Sequence, residues 1–188
     1  MVATYFDEFV EAQQRTAKFN LASPKIQEPT KRLLTPAKLA QFPSVVRDAV
    51  GELSLNEVVA QCLSIHFRLQ RPLEEFFDVP IIFTIGYVYT PPSYLFRQTE
   101  AELLKLLQDG MRGPQVNLHA WLTLPSMEII DLSLATSIAV IHKNKEGLGG
   151  VFASHADELK HGLRYHPMLL GTDYLERIGA LQLSLYVA

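Results

Sequence analysis

The sequence predicts an α+β domain with N-terminal helices packed on a mostly antiparallel β-sheet. Two observations carry this expectation. Helical spacing of apolar residues dominates the first part of the chain, and short runs rich in β-branched and aromatic residues dominate from about residue 79 onward. The 188 residues, 48% of them hydrophobic, suit one compact domain with a sizeable core.

Residues 3–19 place Tyr5, Phe6, Phe9 and Val10 at helical spacing, which predicts an amphipathic helix. Pro24, Pro29, Pro36 and Pro43 then punctuate 21–43. Proline removes an amide donor and turns the preceding residue away from helix, so residues 1–43 read as a helix plus an extended connector, with a short helix near 36–41. Residues 54–70 form the clearest helix. Ser54 and Glu57 have capping-box spacing, and Pro72 is expected to end the helix, with one further turn over "PLEEFF". "VPIIFTIGYVY" (79–89) reads as a buried strand broken by Pro91-Pro92. Thr99 and Glu102 cap a short helix whose apolar face is Leu103, Leu104, Leu106 and Leu107, and Gly110 ends it. Strands are expected at about 116–124, 127–132 and 137–142, with Pro125-Ser126 as a turn. Beyond the polar loop 143–150, Ser154 and Asp157 suggest a short helix ending at Gly162. Thr172 to Ile178 suggests a last helix, and 181–187 alternates like a strand.

A net charge of −3 gives no basis for strong attraction to nucleic acid or to an anionic membrane. No apolar run is long enough to span a bilayer as a helix, and the acidic N-terminus lacks the pattern of a secretory signal. A single cysteine excludes an intramolecular disulfide and suits a reducing, cytoplasmic setting.

The chemistry-bearing stretch is "NLHAWLTLPSMEIID" (117–131). His119 and Asp131 lie twelve residues apart on an expected hairpin, and a turn at 125–126 would set them nearly opposite. A cysteine attacks as a thiolate and needs a base. A histidine supplies it, and a carboxylate behind the histidine fixes its tautomer. Cys62, on the helix before the first buried strand, is the available nucleophile.

These elements resemble the transglutaminase-like branch of the papain-like cysteine enzymes. The matching pieces are Cys62 on a helix, "FTIGYVY" with Gly86-Tyr87, "HAWLTL" from His119 and "IIDLS" around Asp131, covering about 54–141. The resemblance implies a papain-like/transglutaminase-like core with Cys62, His119 and Asp131 as catalytic triad. It implies an amide, ester or thioester substrate, commonly a peptide, and no metal or organic cofactor. Oxyanion candidates are the Cys62 amide, Gln61 and Asn56, and substrate-binding candidates are Tyr87 and Trp121. Two features differ from the family. A helix from Ser54 puts Cys62 two turns inside rather than at the helix start, and Asp131 is followed by Leu-Ser where Asp-Pro-Thr is common. A helix starting at about Ala60 to Cys62, with 54–59 as a separate piece, would restore the family pattern.

Plainer readings stand beside this one. A lone cysteine on an apolar helix suits a small core residue, and Asp131 suits a turn. The competing class is an inactive relative acting as a binding or scaffold domain, with the connector and "YTPPSYLF" (89–96) as a protein-partner surface. His66 shares the face of Cys62 but lacks an evident carboxylate to orient it. His155, His161 and His166 near Asp157 and Glu158 lack metal-site spacing. "GLGG" lacks the lysine of a phosphate loop.

Overall fold

The computed structural model describes residues 3–51, 62–113 and 116–181, with Cys62 described by its backbone only. Its architecture is α+β, with helices on both faces of an antiparallel sheet. Helix α1 (Tyr5–Lys18) starts at a capping box of Thr4 and Asp7 and buries Tyr5, Phe9, Ala12 and Thr16 along one stripe.

The connector proves shorter than its prolines imply. Helix α2 spans Pro36–Val50, with Thr35 as N-cap and Pro36 in the first turn, and it runs through Pro43. Helix α3 (Cys62–Phe77) likewise continues through Pro72. Each internal proline costs about 3 kcal/mol. Burial of Phe42 and Val50 in α2, and of Ile65, Leu69, Leu73 and Phe77 in α3, offsets that cost. The expected helix start at Ser54, and the alternative start near Ala60, lie outside the described residues.

Strand β1 (Ile82–Thr90) turns at Pro91-Pro92 into β2 (Ser93–Leu95). Helix α4 (Glu100–Asp109) has the expected capping box, and its Leu103 is buried. Leu104, expected on the apolar face, is exposed. Then follow β3 (His119–Thr123), β4 (Glu128–Asp131), α5 (Leu134–Ile141), β5 (Phe152–His155), β6 (Arg164–Leu170) and α6 (Asp173–Ile178). Two expectations fail here. The apolar run read as a strand at 137–142 is α5, because the Asp131 carboxylate meets the first helical amides. Ser154 lies in β5 and does not cap a helix; only a 3-10 turn, Ala156–Glu158, follows. The expected strand at 181–187 falls outside the described residues except for Leu181, a bend.

Residues 84–86 of β1 pair with both β3 and β6, and residues 88–89 pair with both β2 and β6. The order across the sheet is therefore β6-β1-β3-β4-β5, with β2 continuing the line of β3 along β1. One face carries Phe83, Ile85, Leu122 and Leu169 under α2, α3, α4 and α6. The other carries Val88, Trp121, Ile129 and Leu170 under α1 and α5. Among the described residues, no helix is long and apolar enough to cross a membrane.

Candidate active site

His119 opens β3, paired with Gly86 of β1, and Asp131 closes β4. The β3–β4 register pairs Leu122 with Ile130 and Thr123 with Ile129. Continued, it sets Asp131 across from Trp121, two residues from His119 and on the same face. The two are diagonal rather than opposite. The turn is centred on Ser126, where the Met127 amide donates to the Leu124 carbonyl and the Leu124 amide to the Glu128 carbonyl. A diagonal neighbour is still within reach of a long side chain. The His119 Nε2 to Asp131 Oδ2 distance is 2.6 Å, and both side chains are fully buried.

A carboxylate can only accept, so His119 carries its proton on Nε2 and donates it to Asp131. Asp131 is saturated with donors. Oδ1 accepts from the Ser133 amide at 2.8 Å, the Ser133 hydroxyl at 3.0 Å and the Leu134 amide at 3.0 Å. Oδ2 also accepts from the Tyr165 hydroxyl at 2.9 Å. Burial opposes ionisation of Asp131. The charge and hydrogen bond of His119, together with the Ser133 amide, outweigh it and hold the carboxyl well below the usual carboxylate range. Tyr165 moves the other way. Burial, then the Asp131 charge and the hydrogen bond to it, push its phenol well above the ordinary value.

The His119 ring lies in an aromatic setting. Phe96 stacks on it at 5.0 Å and 16°, from a backbone with φ of 59°. Trp121 and Tyr165 flank it at 5.9 and 6.4 Å. Gly86 makes this packing possible. A Cβ there would lie 2.1 Å from the His166 carbonyl oxygen and 2.7 Å from the Trp121 ring. Trp121 is further held by its indole N–H, which donates to the Tyr5 hydroxyl at 2.8 Å; Tyr5 in turn bonds Thr123 at 2.8 Å. These bonds tie α1 to the strand that carries His119.

The remaining candidates fall out unevenly. The Cys62 side chain, Gln61 and Asn56 lie outside the described residues. Trp121 is fully buried, and its indole N–H is bonded to Tyr5. Tyr87 stacks on His166 at 4.7 Å and meets Tyr94 and Arg97, forming a cluster apart from the rings around His119. His155 Nδ1 accepts from the Asp157 amide, and His166 pairs with Glu8 at 2.8 Å. A cavity of about 410 Å³ lies at the far end of β1, lined by Phe9, Ile26, Ile82 and Met127. Ile82 and Gly86 are four residues apart, so about 13 Å of strand separates that cavity from His119.

Sequence reasoning set His66 aside for want of a carboxylate. The structure supplies one, because fully buried His66 has Nε2 3.5 Å from Asp131 Oδ1 and accepts the Leu132 amide at 3.0 Å. His66 stands one helical turn after Cys62, a separation of about 6 Å on a helix surface. Through His66, the helix that carries the chain's cysteine reaches Asp131. Tyr165 and Phe96 went unseen: Tyr165 sits on a strand hidden by Pro167, and no residue pattern marks Phe96. No protein-family model matches the chain, and neither does a curated protein or a solved structure.

Proposed function

We propose that the protein is a cytoplasmic, cysteine-dependent acyl-transfer or amide-hydrolysing enzyme of transglutaminase-like type, with Cys62 as nucleophile, His119 as base and Asp131 as its orienter. The supporting observation is the buried His119–Asp131 hydrogen bond of 2.6 Å, with His66, four residues after Cys62 on the same helix, 3.5 Å from the same carboxylate. With Nε2–H donated to Asp131, His119 Nδ1 takes the thiol proton. The thiolate attacks an amide, ester or thioester carbonyl, and the resulting oxyanion requires at least one donor, from the Cys62 amide, Gln61 or Asn56. His119 then returns the proton to the leaving group, and water or an amine releases the acyl group from sulfur. The single cysteine needs a reduced setting for this chemistry.

Iodoacetamide labelling tests the reading, since only one thiol can react. An ordinary thiol of pKa about 8.5 is about 0.3% thiolate at pH 6. Wild-type protein labels readily at pH 6, and folded His119→Ala loses that reactivity. Equal rates in the two proteins mean an inert cysteine. That outcome favours the second reading, a binding or scaffold domain, whose supporting feature is Tyr94, 48% exposed with Arg97 4.7 Å from its ring.

A further inference from the structure

We propose that His66 is a positioning residue for the Asp131–His119 pair. As a neutral imidazole it holds the Leu132 amide, and with it the corner between β4 and α5 that aims Asp131 at His119. The proposal rests on the reading of His119 and Asp131 as working parts of the site.

The geometry assigns the role. Leu132 N–H can only donate, so Nε2 of His66, 3.0 Å away, presents a lone pair and the ring proton sits on Nδ1. Asp131 Oδ1 lies 3.5 Å from the same nitrogen, outside hydrogen-bond range, as expected for a lone pair facing an acceptor. Asp131 therefore keeps Oδ1 for Ser133 and Leu134 and Oδ2 for His119 and Tyr165. An imidazolium at position 66 could not accept from Leu132. Its new Nε2–H would turn to Oδ1 and compete with the amides that set the carboxylate plane. Among the described residues, the charged and titratable groups that face this arrangement include Asp131 and His119 from the strands and, across the carboxylate, Tyr165. A leucine would fill the same buried volume without the cost of a buried ring nitrogen. Here the nitrogen satisfies the amide next to Asp131, from the helix that carries Cys62.

Two substitutions separate the acceptor from the bulk. Glutamine can place Oε1 near the position of Nε2, and leucine cannot accept. The readouts are iodoacetamide labelling of Cys62 from pH 5 to 9, hydrogen exchange of the Leu132 amide, and the NMR resonance of the His119 Nε2 proton. His66→Leu is expected to lose Leu132 protection, to broaden or shift the His119 proton, and to label about tenfold more slowly at pH 6, the size of effect supporting partners have elsewhere. His66→Gln is expected to retain all three. Wild-type behaviour in folded His66→Leu overturns the proposal, and so does equal impairment of the two variants. If His66→Leu does not fold, His66→Gln decides by whether Leu132 protection survives. If wild-type Cys62 shows no low-pH reactivity, the enzyme reading fails, and the exchange and NMR readouts still decide the role of His66.

Discussion

Asp131→Asn removes one charge while keeping shape. Oδ1 and its three donors can stay with the amide oxygen. The new NH2 then faces His119 Nε2 and the Tyr165 hydroxyl, which both donate in the wild type. Tyr165 can rotate its proton away. His119 must present a bare Nε2, which moves its proton to Nδ1, the nitrogen proposed to take the thiol proton. Exchanging a charge-assisted bond for a neutral one costs about 1–2 kcal/mol of stability at pH 7. The effect on chemistry is larger. At about 4 Å between charges and an effective dielectric of about 20, imidazolium and carboxylate attract by about 4 kcal/mol, equivalent to about three powers of ten. Labelling of Cys62 at pH 6 should therefore fall by two to three decades, roughly, while the urea midpoint moves modestly. The pH dependence has a definite sign. The folded Asp131 carboxyl lies below its unfolded value, so its stabilisation is fully present above about pH 4 and fades as pH falls further. The part of the stability gap between wild type and Asp131→Asn that comes from ionisation of Asp131 should persist down to about pH 4 and close in stronger acid. An unchanged labelling profile in a folded variant would refute the reasoning.

Three further outcomes follow from the packing. Gly86→Ala drives a Cβ against the His166 carbonyl and the Trp121 ring, so it should cost at least about 3 kcal/mol in chemical denaturation; a near-neutral result would mean that the bulge in β1–β6 pairing yields easily. Tyr5→Phe strands the Trp121 indole N–H and removes a partner of Thr123, for about 1–3 kcal/mol by the same assay. Burial raises the phenol pKa values of Tyr5, Tyr165 and Tyr174; their contribution is intact below the unfolded value of about 10 and lost above it, so the guanidinium midpoint should hold to about pH 9 and drop steeply by pH 11.

Much of this site was legible because its signals are local. The twelve-residue separation of His119 and Asp131 around Pro125-Ser126 predicted a hairpin, and the hairpin brings them together. The register was less legible. A turn centred one residue later shifts the facing pair by two positions, and nothing in "LPSM" alone distinguishes the two. β6 was missed because Pro167 argues against a strand. It is tolerated where β1–β6 pairing shifts between Ile85 and Gly86, on a strand at the sheet edge. α2 and α3 were cut short at prolines whose cost is offset by long-range burial, which a local rule does not weigh. α5 was read as a strand because its apolar residues are β-branched. The interaction that makes it a helix comes from Asp131 outside it. The carboxylate near His66 was invisible for the same reason, since it belongs to a strand 65 residues further along the chain.

The most direct test of the central claim is the position of the Cys62 sulfur in a crystal structure of the unmodified protein. A Cys62–His119–Asp131 triad predicts that sulfur within about 4 Å of His119 Nδ1, on the side of the ring away from Asp131. A sulfur turned into the core of α3, or on the opposite face of the sheet from His119, would contradict it.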